Sequence, residues 1–243
     1  CAFPIVFGFF IPAITLLYWS IVYSEVQNIW ILAAKSFGLA GVSAVIIVIL
    51  SLVVCYASRL YQSRWTDSLV SCTGLGYALP GVVIAIGILI PFGAFDQWFS
   101  SKMILFGFPP SLWLSGTVLA VIFAYCVRFL AVANGNLLSG LSRIPKSLDQ
   151  SARLLGRTES GVIRAIHIPL LKGSILTALL ICFVDILKEL PATLILRPFD
   201  LNTLAVKAYE LASDERLIDA ALPSIWIVVV GLIPVIWLNR AVR

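Results

Sequence analysis

Six apolar stretches of membrane-spanning length alternate with polar intervals along the chain, near residues 2–22, 37–58, 70–92, 111–133, 170–194 and 223–240. Each approaches the roughly 20 residues that a helix needs to cross a hydrocarbon core about 30 Å thick. Pro12, Pro80, Pro191 and Pro234 fall inside these stretches. Membrane helices tolerate proline where neighbouring groups satisfy the freed carbonyls. One polar interval is longer than the rest. Residues 147–169, SLDQSARLLGRTESGVIRAIHIP, carry a helical period of their own. Ser147 and Gln150 have the spacing of a capping box. Leu148, Ala152 and Leu155 then share one side of a short helix. Gly156 suits a left-handed C-terminal cap. Thr158 is placed to cap a second helix with Val162, Ile163 and Ile166 on its apolar face, and Pro169 closes the unit at the first turn of the next helix. A plain solvated connector needs only a few residues. The capped pair of helices, with apolar side chains turned away from the bilayer, predicts a docking element for another protein.

Composition narrows the class. The 243 residues are 60% hydrophobic and 12% charged, about half the charged fraction of a soluble domain, ~25%. No polar block is long enough to fold separately. The expectation is one all-α polytopic membrane domain over 1–243, with six transmembrane helices and a two-helix loop at 147–169. The net charge of +5 is no nucleic-acid signal; its distribution matters more. Arg59 and Arg64, then Arg143, Lys146, Arg153, Arg157, Arg164 and Lys172, then Arg240 and Arg243, cluster on alternate links, which the positive-inside rule assigns to the cytoplasm. The other links balance their cations with acids: Lys35 with Glu25, Lys102 with Asp96, and Arg197, Lys207 and Arg216 against Asp200, Glu210, Asp214, Glu215 and Asp219. Both ends of this segment are therefore expected inside, with the two-helix loop. Trp30, Trp98, Trp113 and Trp226 fall near segment ends, as an aromatic belt requires. The chain opens at Cys1 with no charged region before its apolar run, which argues against an intact signal peptide and for a piece of a longer polypeptide. The five cysteines show no metal-ligand spacing and read as small apolar packing residues.

The loop carries a resemblance. Gln150-Ser151-Ala152, three residues, Gly156, nine residues, then Ile166, Ile168 and Pro169 resembles the EAA loop of bacterial ABC importer permeases. That pattern is Glu-Ala-Ala, three residues, Gly, nine residues, Ile, any residue, Leu-Pro. Gln150 replaces the glutamate, with Asp149 beside it, Ser151 replaces an alanine and Ile168 the leucine; the spacing, glycine and proline hold. The resemblance implies a type I importer permease fold, with this loop as the helix that couples to an ATPase subunit. It also implies the partners: an ATP-binding cassette ATPase dimer, a second permease half, and an extracytoplasmic substrate-binding protein. No cofactor is expected on this chain, ATP and magnesium belonging to the ATPase.

Two apolar stretches carry candidate chemistry. GYALPGVVIAIGIL, residues 76–89, places small Gly76, Gly81 and Gly87 around helix-breaking Pro80; close helix packing and pathway lining both fit. FVDILKELPATLILRPF, residues 183–199, puts Asp185, Lys188 and Glu189 in or near the bilayer, where charge is costly and pairs with charge. Asp185 and Lys188, three apart, suit an ion pair, and Glu189 adjoins Pro191, where a bend is expected. A structural ion pair and a pathway or gate role are both open. Beyond it lies a helix expected near 203–212 and an acidic stretch from Asp214 to Asp219. The runs KELPATLILRP, TLAVKAYELASDERL and AALP resemble the C-terminal part of ferric-iron importer permeases. Those are commonly one polypeptide with two homologous halves. Sulfate or molybdate, thiamine and phosphonate permeases share the same loop.

Other chemistries lack their residues. There is no G-x-x-x-x-G-K-[ST] phosphate loop, so ATP hydrolysis would belong to a partner. One histidine, His167, cannot serve a serine–histidine–acid set in the bilayer and reads as a packed or surface residue. No zinc or calcium spacing occurs. The alternative from a different class is an ion-coupled secondary transporter using Asp185 and Glu189; it would have no need of the docking loop. An intramembrane enzyme is the weaker third alternative.

Overall fold

The computed structural model describes residues 2–23, 28–61, 63–105, 109 and 112–242. Cys1, Glu25 and Arg243 lie outside them, and the side chain of Arg240 is not described. The described residues form helices and their connections, with no strand. Helices α1 (Ala2–Ile5) and α2 (Ile11–Val22), joined by a π-helical turn (Val6–Phe10), make the first apolar rod. Then follow α3 (Ile29–Leu60), α4 (Arg64–Ala78), α5 (Gly81–Leu105), α6 (Val118–Ser142), α7 (Lys146–Leu154) and α8 (Glu159–Val162). A second π-helical turn (Ile163–His167) leads into α9 (Ile168–Leu187), then α10 (Pro191–Leu196), α11 (Leu204–Ser213) and α12 (Leu217–Val242). Among the described residues, 5 helical rods are long and apolar enough to cross a membrane, and the first rod is a shorter apolar helix.

The packing is that of a membrane bundle. Helix α3 lies against both α6 and α9, and these three form the centre. Many of their buried positions are small, Ala40, Ala44, Ala120, Ala124, Ala133, Ala178 and Cys182, set among the larger Ile47, Phe129 and Leu137. Lipid tails give no hydrophobic drive between helices, so close approach of small residues supplies the contact energy. Large apolar side chains also cover the outside: Val42, Val45, Ile49 and Val53 on α3, and Phe3, Phe7, Phe9, Phe10 and Tyr18 on the first rod.

Several boundaries differ from the sequence expectation. The third stretch, 70–92, is two helices. Leu79 is extended at ψ 140°, as the residue before proline prefers, and the chain restarts at Gly81. Residue 111 lies outside the described residues, and the fourth helix starts at Val118 rather than near 111. Buried Asp96 decides that start. Its carboxylate accepts the N–H groups of Trp113, Leu114 and Ser115 at 3.0, 3.0 and 2.8 Å, holding an irregular turn that Gly116 completes at φ +66°. Asp96 and Lys102 therefore sit within α5, not in a link. The fifth stretch ends at Leu187 instead of 194. The second and sixth run longer than expected, to 32 and 26 residues. The helix expected near 203–212 is α11.

Candidate functional site

The first site is the α7–α8 loop. Helix α7 begins after Pro145, with no side-chain cap, so the capping box of Ser147 and Gln150 does not form; the helix starts two residues too early for it. Its end is as the sequence implies. Gly156 takes φ +78°, its N–H donates to Arg153 O at 3.0 Å and that of Arg157 to Ala152 O at 3.0 Å, the paired bonds of a Schellman cap. Thr158 Oγ1 accepts the Gly161 N–H at 3.3 Å and starts α8. Pro169 stands in the first turn of α9, as expected, yet no break parts the loop from that helix: residues 159–187 run on as one helical rod with the π-helical turn Ile163–His167 inside it.

The residues singled out in this loop divide by direction. Ala152 is buried and Ile166 half-buried, whereas Gln150, Ser151, Gly156, Ile168 and Pro169 are exposed. Leu155 does not join Ala152 inside. It is 85% exposed, beside Leu154 at 89%, so the tip of the loop presents an uncovered apolar pair next to the glycine.

Asp149 suspends this loop from the bundle. Its Oδ2 accepts from Arg59 Nε at 2.9 Å and its Oδ1 meets His167 Nε2 at 2.7 Å. Burial raises the pKa of this carboxyl, but the hydrogen bonds and charges of Arg59 and His167 outweigh it and hold the carboxyl below the usual aspartate range. Arg59 also donates Nη1 to Leu141 O at 2.8 Å and Nη2 to Ile144 O at 3.0 Å, capping the open carbonyls at the end of α6. His167 is buried, with its ring edge-on to Tyr56 at 5.4 Å. The sequence offered Arg59 only as a topology charge and left His167 between packed and surface roles; their meeting at Asp149 spans 90 residues.

The second site lies in the bundle interior, where two interrupted helices meet. Asp185 and Lys188 pair at 2.8 Å, as their spacing implies. Glu189 is directed elsewhere. Its Oε2 is 3.2 Å from Arg128 Nε on α6, at 6% exposure for the glutamate and 21% for the arginine. Its Oε1 accepts the Ala192 N–H at 3.2 Å, at the first turn of α10 that Pro191 opens. Arg128 Nη1 reaches Leu79 O at 3.5 Å, the last carbonyl before Pro80. One turn along α6, Tyr125 Oη bonds Thr193 Oγ1 at 2.6 Å. Gly81 sits where these groups converge: a Cβ there would lie 2.6 Å from Arg128 Nη1 and 2.8 Å from Glu189 Oε1. Thus Pro80, Glu189 and Pro191 belong to one cluster, and the exposed Lys188 with Asp185 to another face of the same break. Arg128 was missed. The signal was available, since a cation inside an apolar stretch is as costly as the acids of the fifth stretch.

A cleft of about 1030 Å³ opens between α6 and α9 on the α7 side, lined by Ala131, Asn136, Ser139, Arg143, Ser174 and Thr177. Ala131 lies one helical turn from Arg128, so the cleft stops one turn short of the Arg128–Glu189 pair.

The described residues thus form a helical bundle of membrane-spanning length, with two broken helices around a buried ion pair and a capped polar loop at one end. Residues 55–243 match the family model described as binding-protein-dependent transport system inner membrane component, and the chain belongs to that family. It is 26% identical over 249 residues to the Fe(3+)-transport system permease protein FbpB 2 of Haemophilus influenzae, covering 96% of this chain and 46% of that protein. It is 28% identical over 166 residues to the putative 2-aminoethylphosphonate transport system permease protein PhnV of Salmonella typhimurium, covering 68% of this chain and 57% of the relative. The chain therefore spans about half the length of the curated relatives it matches. Its fold is shared with a solved bacterial alginate ABC transporter in complex with an alginate pentasaccharide-bound periplasmic protein, at TM-score 0.74 and 18% identity, over 98% of this chain and 90% of that one.

Proposed function

We propose that this chain is the membrane-spanning half of an ATP-driven, binding-protein-dependent importer, and that its cargo is ferric iron. The observation that carries the reading is the α7–Gly156–α8 loop, whose exposed Leu154 and Leu155 project from the bundle while Asp149 ties the helix behind them to Arg59 and His167. Such a tip needs a partner surface, and an ATPase dimer is the partner that would drive transport through it. With the loop on the cytoplasmic side, both ends of this segment are cytoplasmic, and α11 faces the substrate-binding protein. The iron-transport relative of Haemophilus influenzae, of which this chain covers 46%, supports a second permease half beside it.

Mechanism follows from the two sites. The α6–α9 cleft opens toward the loop and stops short of Arg128–Glu189, and in this reading that pair would close a path between the Pro80 and Pro191 breaks. Closure of the ATPases would move α7, and the rod that begins at α8 would move the Glu189 end of α9. Opening exchanges the Glu189 partner, and the differential affinity of ATP for one ATPase arrangement supplies the bias. Once parted from Arg128, Glu189 would offer an oxygen ligand to a passing hard cation. The longer match to an iron permease favours iron; the phosphonate relative and the cation of Arg128 favour an organophosphonate as the second reading.

A Leu155→Cys variant of the full-length protein should crosslink to the ATPase subunit, whereas Ala152→Cys, buried behind it, should not. Absence of any ATPase adduct at Leu155 with several linker lengths would remove the docking role. Uptake of radiolabelled ferric iron and of 2-aminoethylphosphonate into proteoliposomes separates the two cargoes.

Gly156→Val tests the loop itself. No atom lies within 4 Å of a Cβ at this position, so the cost is confined to a β-branched residue at positive φ, about 1–2 kcal/mol. The expected result is normal yield of folded protein with a several-fold fall in solute moved per ATP hydrolysed. An unchanged ratio would show that the cap geometry has no part in coupling.

A further inference from the structure

Helix α3 is fastened at both ends to the elements that the importer reading places against partners. At the loop end, Arg59 holds Asp149 of α7 and, through that carboxylate, His167. At the other end, Ser36 Oγ accepts the Leu204 N–H at 2.7 Å, in the first turn of α11, and Lys35 Nζ donates to Asp200 O at 3.2 Å. Ser36 and Leu204 are both buried. The segment they hold is stiff: Arg197 donates to Leu201 O at 3.2 Å, to Asn202 Oδ1 and to Glu210 Oε1 at 2.8 Å. It also offers a contact surface, with Phe199 wholly exposed and Asp214 and Glu215 exposed beyond it.

Between Ser36 and Arg59 the helix is unbroken and contains no proline, a span of about 35 Å. Other routes between the two ends are interrupted. Helix α9 stops at Leu187, α4 and α5 are parted at Pro80, and α5 and α12 contain Pro91, Pro223 and Pro234. Helix α6 is also unbroken, but its far end is held by the Asp96 turn rather than by α11.

We propose that α3 is a strut that carries the docking of a substrate-loaded binding protein on the 197–215 face to the ATPase-coupling helix α7, with Ser36 and Arg59 as its two joints. This rests on the importer reading above. A partner presenting a basic and apolar surface would seat on Phe199, Asp214 and Glu215. It would displace α11, and Ser36 would pass the displacement along α3 to Arg59. Both joints are positioning residues: neither touches cargo nor the ATPase.

The test is a double-mutant cycle on the full-length permease, assembled in proteoliposomes with its ATPase and its substrate-loaded binding protein. The readout is the factor by which the loaded binding protein stimulates ATP hydrolysis. Ser36→Ala and Arg59→Gln are each expected to cut that factor at least about fivefold, the low end of an allosteric coupling. The double variant should fall no further than the worse single, because one path broken twice is still one path. Losses that multiply, as independent distant sites give, overturn the proposal, and so does wild-type stimulation in either single variant. Should Arg59→Gln fail to assemble, Ser36→Ala decides alone, since it removes one acceptor and little volume. A wild-type permease that binds no ATPase sinks the importer reading; a stimulated wild type matched by both variants sinks only the strut.

Discussion

Arg128→Met is expected to lower stability by about 3–5 kcal/mol, the range for removing one partner of a buried ion pair, and to abolish uptake. The carboxylate it strands is buried, and in a bundle surrounded by lipid it has no solvent to turn to. Glu189 would keep the Ala192 N–H, its one remaining bond, at 3.2 Å. Glu189→Gln should cost less, since the amide oxygen still caps α10, yet it leaves Arg128 facing only Leu79 O at 3.5 Å. The double variant Arg128→Met/Glu189→Gln separates structure from gating. Two neutral side chains of similar length remove the stranded charge, so thermal unfolding in detergent should return most of the way to wild type. Uptake should not return, because no exchangeable pair then joins the Pro80 and Pro191 breaks. Recovery of uptake along with stability would make the pair a structural tie and nothing more.

The second large effect is steric. Gly76→Leu should prevent α4 from docking on α6, and Gly76→Ala alone should be strongly destabilising. A Cβ at residue 76 would stand 1.9 Å from Val127 O and 2.9 Å from Val127 C. Those are backbone atoms of a central helix, which cannot swing away as a side chain would. Overpacking a core costs about 1–3 kcal/mol where side chains yield, and here the whole of α4 must move instead. That shift would also break the bond from Asn134 Nδ2 to Thr73 Oγ1, 2.7 Å long, which together with Ser51 ties α3, α4 and α6 into one polar network. The expected outcome is a melting temperature lowered by many degrees for Gly76→Ala and loss of monodisperse protein for Gly76→Leu. By contrast Gly74, two residues away with no neighbour within 4 Å of its Cβ, should accept alanine with little change. Equal tolerance at both positions would show that α4 does not pack as described.

Much of the molecule was legible in the order of its residues. Bilayer thickness fixes the length of a spanning helix, so apolar runs gave the all-helical membrane class and most of the rods. Local backbone chemistry gave the Gly156 cap, the Thr158 cap and the break at Pro80, because each depends on residues within a turn of one another. The Asp185–Lys188 pair, three residues apart, was readable for the same reason.

What the tertiary structure decided are the contacts between residues far apart in the chain. Nothing near Glu189 shows that it turns to Arg128 of α6 rather than to Lys188 beside it. Nothing near Asp96 shows that it holds the N–H groups of Trp113 to Ser115 and so delays the start of α6. Arg59, Asp149 and His167 each looked like an ordinary charge or ring near a helix end. Low dielectric forces buried charges to find partners, but it does not say which, and with several candidates per segment only packing makes the choice. The sequence by itself determined a chain of apolar rods long enough to cross a membrane and a capped polar loop between two of them, because both follow from residues near one another; the fold alone decided that this loop is tied to Arg59 and His167 and that Glu189 pairs with Arg128, because those partners lie far apart in the chain.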